Sequence, residues 1–152
     1  MGSMMTGGVR NVFAENCLMD SPHLDQAIRI KTNSIRGGFV ENVYVRNITI
    51  NEVGGSILRV NFFYEEGDAG QFTPSVRNIN LENITSKKSK YVLHLNGYEH
   101  SPVTDVTFRN CTFDNITRPS IISNVKNLVF ENVRINGELV DDPTKQCTTE
   151  GS

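Results

Sequence analysis

A repeated segment is the feature that most constrains how this chain folds. Five copies align without gaps, and each reads Val, any residue, Asn or Asp, apolar, any residue, apolar, Arg or Glu, Asn, then Cys, Ile or Val. The copies are VRNVFAENCLM from Val9, VENVYVRNITI from Val40, VRNINLENITS from Val76, VTDVTFRNCTF from Val103 and VKNLVFENVRI from Val125. Their starts lie 31, 36, 27 and 22 residues apart. Self-similarity at this period indicates a repeat architecture.

Within each copy the apolar residues alternate with others, and a period of two indicates a β-strand. A second apolar segment follows each of the first four copies: AIRIKT from Ala27, ILRVNFF from Ile57, YVLHLNG from Tyr91 and SIISNV from Ser120. Each repeat is too short to hold a helical crossover, so every strand is expected to pair with its counterpart in the next repeat. The sequence therefore predicts an all-β parallel β-helix of about five coils, roughly 24 Å long.

One asparagine recurs at the eighth position of every copy, where we expect a turn. Asparagine tolerates left-handed backbone angles, and its amide can bond the same amide in the coils above and below. We therefore predict a ladder of stacked amides. Four Asn-x-Thr sequences also match the glycosylation sequon, but three of them lie in the predicted ladder, so we favour the structural interpretation. The ladder positions are Asn16, Asn47, Asn83, Asn110 and Asn132, and the sequons begin at Asn47, Asn83, Asn110 and Asn115.

Composition excludes several function classes. The formal net charge is -2, so there is no basic surplus for nucleic acid or an anionic membrane. No apolar run approaches the length of a transmembrane helix, and Met1 to Gly8 lacks the layout of a signal peptide. Three widely spaced cysteines, at positions 17, 111 and 147, suggest neither a disulfide framework nor a metal site. Cys17 and Cys111 occupy equivalent repeat positions, and we expect buried free thiols.

Two cations mark the candidate binding surface. Arg29 and Lys31 are two residues apart on the first of the second strands, so they share a face while Ile28 and Ile30 face the core. Adjacent cations favour an anion between them, and a carboxylated sugar would supply it. The alternative is a solvated strand face with ordinary salt bridges. Tyr64 follows the next second strand and suits sugar recognition, although it could equally cover the edge of the core.

The three histidines are weaker candidates for a functional site. His23, His94 and His100 have no metal-site or catalytic-triad spacing. His94 is expected to be a surface or stacked side chain. His23 precedes Arg29 closely enough to contact a ligand.

In its repeats and its candidate binding residues the chain resembles glycoside hydrolase family 28, the polygalacturonases and related pectin hydrolases. The resemblance spans about Met1 to Asn136 and rests on the opening GSMMTGGVRNV from Gly2, the Arg29-Ile30-Lys31 tripeptide and Tyr64. It implies a right-handed parallel β-helix, inverting hydrolysis without a metal or other cofactor, and a parent family that is secreted or periplasmic. It also implies that Arg29 and Lys31 bind the galacturonate carboxylate at the cleavage site, with Tyr64 beside them.

The family's catalytic motifs, Asn-x-Asp, Asp-Asp and Gly-His-Gly, are not found in the corresponding places. They would belong to coils preceding Met1, and Asp141-Asp142 comes after the repeats. We therefore predict no catalytic residue in this chain. The expected organisation is a β-helix domain over residues 1–139, the C-terminal part of a polygalacturonase-like domain, and a polar tail over 140–152. The expected function is weak binding of a pectic or galacturonate-type sugar without hydrolysis.

Two alternatives remain open. One is an active hydrolase with displaced carboxylates, using Asp25, Glu65 or Glu66. The other is a structural or assembly module, because an open end of a β-helix presents unpaired strand edges. That alternative predicts a homo-oligomer, most simply a dimer, formed through the exposed coil end.

Overall fold

The computed structural model describes residues 7–21, 23–32, 37–63 and 70–143, together with the backbone of residues 147–148. Over these ranges the chain forms eleven strands in two sheets. No helix among the described residues is long and apolar enough to cross a membrane.

The first sheet contains all five copies of the repeat. Its five parallel strands lie side by side in the order of the copies along the chain. The register aligns equivalent repeat positions, so that Val12 faces Val43, Val43 faces Ile79, and Ile79 faces Val106. Their bounds are β1 Gly8–Met19, β3 Phe39–Ile50, β5 Ser75–Ser86, β7 Val103–Phe113 and β9 Val125–Ile135.

The second sheet contains the second apolar segments, again in parallel. Its strands are β2 Gln26–Lys31, β4 Ser56–Asn61, β6 Tyr91–Asn96, β8 Ser120–Ser123 and β11 Cys147–Thr148. From β1 to β9, consecutive strands alternate between the two sheets, and each strand from β1 to β7 pairs with the strand two further along the chain. This topology is a parallel β-helix of five coils and confirms the predicted fold class.

Each long strand of the first sheet bends at two residues with left-handed backbone angles. The five asparagines at the eighth repeat position have φ between 52° and 57°. The Asn or Asp at the third position has φ between 55° and 59°. Asn and Asp adopt this region at lower cost than other non-glycine residues. The residues are Asn11, Asn16, Asn42, Asn47, Asn78, Asn83, Asp105, Asn110, Asn127 and Asn132.

The predicted amide ladder forms at these corners. Asn47 Nδ2 donates to Asn16 Oδ1 at 3.2 Å, Asn83 donates to Asn47 at 2.7 Å, and Asn132 donates to Asn110 at 2.9 Å. Three of the four glycosylation sequons therefore serve the ladder. The fourth, at Asn115, donates its amide to the Lys87 carbonyl at 2.7 Å.

A second ladder of side-chain hydrogen bonds runs along the third repeat position. In the fourth copy Asp105 replaces the asparagine and interrupts the series of amide donors. Asn42 donates to Asn11 at 3.1 Å, and Asn78 donates to Asn42 at 2.8 Å. Asp105 accepts from Asn127 at 2.6 Å. Asp105 has no amide N–H group with which to donate to Asn78 Oδ1 as an asparagine would. The amide of Asn80 donates to that oxygen instead, at 3.0 Å.

The core is a continuous apolar column between the two sheets. Val43, Ile79, Leu81 and Phe108 from the first sheet are at most 1% exposed, and Ile30, Leu58, Val60, Leu93 and Leu95 from the second are fully buried. Alternation along both sets of strands turns these side chains inward, as the sequence pattern predicts.

The first coil differs from those that follow. Its inward residues Val12 and Ala14 are only half-buried, although Val43 and Val45, their register partners, are 1% and 4% exposed. The expectation of two buried thiols is therefore wrong for Cys17, which is exposed, and correct for Cys111. Among the described residues no strand pairs with the outer side of β1, so nothing covers Cys17 there. Its register partner Ile48 is 2% exposed.

Part of the segment expected to be a polar tail contacts the last coil. The chain reverses at Asn136-Gly137, and β10 Glu138–Leu139 pairs antiparallel with β9. Val140 is 6% exposed and donates its amide to the Val133 carbonyl at 2.8 Å. β11 then adds to the second sheet beside β8. Among the described residues beyond 139, Val140 and β11 therefore pack on the stack, through one buried apolar side chain and one short strand pairing.

Candidate functional site

The two predicted cations lie together on the outward face of the second sheet. Along β2, Arg29 is exposed, Ile30 is fully buried and Lys31 is half-buried. Two residues along a strand span roughly 6.5 Å. Both side chains therefore stand on the same face of β2.

Sequence reasoning missed two residues that continue this face. The parallel register places Arg59 beside Arg29 and Asn61 beside Lys31. One coil further, His94 lies beside Arg59. Aligning IRIK, LRVN and LHLN position by position would have revealed this column, because equivalent positions in a β-helix stack on one another.

The backbone at the ends of these strands is held by hydrogen bonds between coils. The Thr32 amide donates to the Asn61 carbonyl at 3.0 Å, and the Phe62 amide donates to the Asn96 carbonyl at 3.0 Å. The buried Thr32 hydroxyl donates to the Gly37 carbonyl at 2.8 Å. These bonds fix where the chain leaves the cation-bearing face.

Tyr64 lies outside the described residues, and so do Glu65 and Glu66. The two residues before it are described. Phe62 is fully buried, whereas Phe63 is 49% exposed. Both rings contact Tyr98 edge to face, at centroid distances of 5.3 and 4.9 Å, and the Tyr98 hydroxyl donates to the Phe62 carbonyl at 2.5 Å. Tyr98 therefore anchors the segment that leads toward position 64.

The remaining predicted candidates are spread over the surface. His23 is exposed in the turn before β2, and Asp20 and Asp25 are exposed on either side of it. His94 is half-buried, and its ring meets that of Tyr91 edge to face at 5.7 Å. His100 stacks on Tyr98 at 5.0 Å. Within the described ranges, no three His, Cys, Asp or Glu side chains come together as metal ligands.

Two titratable groups of the first sheet, among the described residues, have shifted pKa values. Hydrogen bonds from Arg77 and, to a lesser degree, Arg10 lower the pKa of Glu41, against the opposing effect of its burial. Their guanidinium groups lie 2.7 and 2.6 Å from its carboxylate oxygens. Burial raises the pKa of the Cys111 thiol to about 11, so it stays protonated at neutral pH. Both groups serve the fold.

Fold and surface together define a parallel β-helix whose second sheet carries Arg29, Lys31 and Arg59 on its outward face. The model of the glycosyl hydrolases family 28 matches residues 1–140, and the chain belongs to that family. Members of this family are typically secreted.

Individual relatives agree with this assignment. A probable polygalacturonase of Vitis vinifera is 27% identical over 115 residues, covering 74% of this chain and 23% of the relative. An exopolygalacturonase of Rhizopus delemar is 26% identical over 139 residues, covering 84% of this chain and 35% of the relative.

Among solved structures, a hyperthermoactive exopolygalacturonase from Thermotoga maritima superposes with a TM-score of 0.80. It is 32% identical, and the match covers 91% of this chain and 30% of that one. The chain thus spans about a quarter to a third of the length of these relatives.

Proposed function

We propose that this chain is the C-terminal part of a galacturonan-cleaving β-helix domain, in which Arg29 and Lys31 bind the carboxylate of a galacturonate unit. The observation that supports it is the placement of both cations on the outward face of β2, while Ile30 between them is buried. Membership of family 28 makes a pectic sugar the natural ligand for such a pair.

The two side chains suit different parts of one interaction. The Arg29 guanidinium is a planar fork that can bond both oxygens of a carboxylate, while the Lys31 ammonium acts as a point charge. A hydrogen bond to a charged group contributes about 1.5–3 kcal/mol. A single sugar held by this pair is therefore expected to bind in about the millimolar range. The position of Tyr64 beside them follows from the family resemblance.

We further propose that the chain does not hydrolyse the polymer by itself. Hydrolysis of a glycosidic bond requires one carboxylic acid to protonate the leaving oxygen and a second carboxylate as base or nucleophile. The family's motifs for these groups do not occur near Arg29, and the described acids nearest in sequence, Asp20 and Asp25, are exposed in the turn before β2.

Binding is tested by titrating galacturonic acid into the 152-residue protein and following amide shifts by NMR. We expect saturable binding that is lost in Arg29→Gln and in Lys31→Gln. The matched control is Lys126→Gln, an exposed lysine on the first sheet, which should bind as the parent does. Binding that survives both substitutions would contradict the assignment.

Hydrolysis is tested by incubating the protein with polygalacturonan and rhamnogalacturonan and counting new reducing ends. We expect no product. Product that disappears in Lys31→Gln would instead support a hydrolase with displaced carboxylates at Asp25, Glu65 or Glu66.

A second candidate function is self-assembly through the first coil. The half-buried side chains Val12, Ala14, Met19, Ala27 and Ile28 line an apolar depression of about 260 Å³ at this end. β1 and β2 are the terminal strands of their sheets among the described residues. A second copy could cover this end by pairing with those edges. Light scattering over a range of concentrations should then show a dimer, and a strict monomer at every concentration would remove this candidate.

A further inference from the structure

One glycosylation sequon of this chain lies outside the amide ladders. It reads Asn115-Ile116-Thr117 and occupies the bend between β7 and β8. Asn115 and Thr117 are exposed, whereas Ile116 between them is half-buried. An Asn-x-Thr sequence in an exposed loop is the acceptor for an N-linked glycan. The position of this sequon in the fold therefore differs from that of the other three.

Hydrogen bonds hold the bend so that the sequon faces outward. The Asp114 amide donates to the Ser86 carbonyl at 2.9 Å. The Ile116 amide donates to Asn136 Oδ1 at 2.9 Å, and Asn136 Nδ2 donates to the Ile116 carbonyl at 2.9 Å. Asn115 has φ 52°, a left-handed value that asparagine tolerates. The backbone on both sides of Asn115 is thus fixed by bonds that do not involve its side chain.

The Asn115 side chain can be modified without losing its own hydrogen bond. Its Nδ2 donates to the Lys87 carbonyl at 2.7 Å. A side-chain amide has two hydrogens to donate, and a glycan replaces one of them. The second hydrogen can still be donated to Lys87. Modification at this position is therefore compatible with the bond that ties the bend to the preceding coil.

There is also space for a sugar beside the sequon. An open depression of about 740 Å³ adjoins it and is continuous with solvent. At one wall, Gly137 has no atom within 4 Å of where a Cβ would stand. The lining residues are Asp114, Asn115, Ile116, Thr117, Asn136 and Gly137. A glycan on Asn115 would project from this depression into solvent rather than against another coil.

The three ladder sequons lack this space. Rungs of a parallel sheet lie about 4.8 Å apart. Asn47 donates to Asn16 and accepts from Asn83, and Asn110 accepts from Asn132. The first sugar attached to a rung would contact the amides of the neighbouring rungs. A glycan at Asn47, Asn83 or Asn110 therefore competes with stacking of the coils, whereas one at Asn115 does not.

We propose that Asn115 is an N-glycosylation site, and that it is the sequon which carries a glycan in the folded chain. The donor is an oligosaccharide linked to a lipid pyrophosphate. A bond forms between Asn115 Nδ2 and C1 of the first sugar, the bond from C1 to the pyrophosphate oxygen breaks, and Nδ2 loses one proton. The lipid pyrophosphate leaves with the electron pair of that bond. The assignment is independent of sugar binding at Arg29 and Lys31.

The test is to express the 152-residue chain behind a removable secretion leader in yeast and to analyse the secreted protein. We expect the intact mass to show one N-linked glycan, removable by an amidase that cleaves N-glycans from asparagine. Peptide mapping after that cleavage in heavy-oxygen water should place the label at position 115. If little protein is secreted, the protease-resistant fraction of the cell lysate is mapped in the same way.

Substitutions at the third sequon position separate the acceptor from the fold. Thr117→Ala removes the sequon but leaves Asn115 and its bond to Lys87 in place, so the glycan should be lost while the unfolding temperature stays that of the deglycosylated parent. Thr117→Ser keeps the sequon and should keep the glycan. Thr85→Ala is the matched control: it removes the sequon at Asn83 from an equally exposed threonine and should leave the mass of the glycan unchanged.

Two results would overturn the assignment. Folded parent protein without a glycan would show that the bend is not an acceptor. Label at Asn47, Asn83 or Asn110 in the folded protein at the level found at Asn115 would show that the ladder does not exclude a glycan. Loss of the glycan in Thr85→Ala but not in Thr117→Ala would place the site in the ladder and contradict the proposal directly.

Discussion

The first coil and the third coil have the same sequence pattern but lie in different surroundings. At equivalent positions, Val12 and Ala14 are half-buried, whereas Ile79 and Leu81 are at most 1% exposed. The third coil is covered on both sides, by β3 and β7, while β1 pairs only with β3 among the described strands. In a β-helix, burial is therefore a property of the neighbouring coils as much as of the residue itself.

The largest expected difference between open and covered coils concerns two phenylalanines. Phe108→Ala removes a fully buried ring of the fourth coil and should lower the free energy of unfolding by about 3–5 kcal/mol. Phe13→Ala, in the first coil, removes a ring that is 65% exposed and stacks on Tyr44 at 5.1 Å. That loss should stay below about 1.5 kcal/mol. Urea denaturation of both variants measures the difference, and similar losses would mean that the first coil is covered in solution.

A smaller difference is expected between two register partners of identical chemistry. Val43→Ala takes a side chain that is 1% exposed out of the core and should cost about 1.5–3 kcal/mol. Val12→Ala changes the half-buried equivalent and should cost about half as much. The same unfolding experiment applies to both. A cost for Val12→Ala as large as that for Val43→Ala would break the comparison.

Substitutions in the amide ladder should also lower the free energy of unfolding less in the first coil than in the second, and by smaller amounts than the core substitutions. Asn47 donates to Asn16 and accepts from Asn83, whereas Asn16 has one described ladder partner. Glycine retains the left-handed backbone angles, so Asn47→Gly removes mainly the two side-chain bonds and should cost about 1–2 kcal/mol. Asn16→Gly should cost about half of that. Equal costs in thermal or urea unfolding would show that backbone entropy, not the ladder, dominates.

The smallest expected effect is the response of the Glu41 ion pair to pH. Because arginines lower the pKa of Glu41 from its ordinary value of 4.5, the folded state binds that proton less readily than the unfolded chain. The pair therefore adds stability above about pH 4.5, and this stability is lost as the pH falls through the lowered folded pKa. Unfolding free energies between about pH 6 and pH 3 should fall less steeply in Glu41→Gln than in the parent.

Two arginine substitutions sharpen that measurement. Arg77 lies in the third coil and Arg10 in the first, and the hydrogen bond from Arg77 contributes most to the lowered pKa. Arg77→Gln should therefore raise the pKa of Glu41, followed by NMR titration, more than Arg10→Gln does. The reverse order would contradict the weaker influence assigned to the first coil.

Much of the fold could be predicted because the residue pattern of each repeat determines the conformation of its own strand. Alternation at Val43 and Val45 or Ile79 and Leu81 predicts which side chains turn inward. The asparagine at position eight predicts the left-handed backbone conformation at the corner, because few other residues tolerate that conformation. The shared face of Arg29 and Lys31 follows from the same period of two.

Other features of the site depend on register and could not be found by examining one strand at a time. Arg59 and His94 became neighbours of Arg29 only when β2, β4 and β6 were placed side by side. The loops between repeats differ in length, so distance along the chain did not indicate this adjacency. The closing of the last coil by Val140 and β11 was hidden for a similar reason, since that polar segment carries no repeat signal.

The sequence by itself determined the strands, their inward and outward faces, the asparagine corners and the order of the coils. Each of these follows from backbone conformation and side-chain period, which are local. Only the tertiary structure decided which cysteine is buried, which cations share a column with Arg29 and how the last coil is covered. Those properties depend on which coil lies above and which below, and stacking between segments distant in the chain sets them.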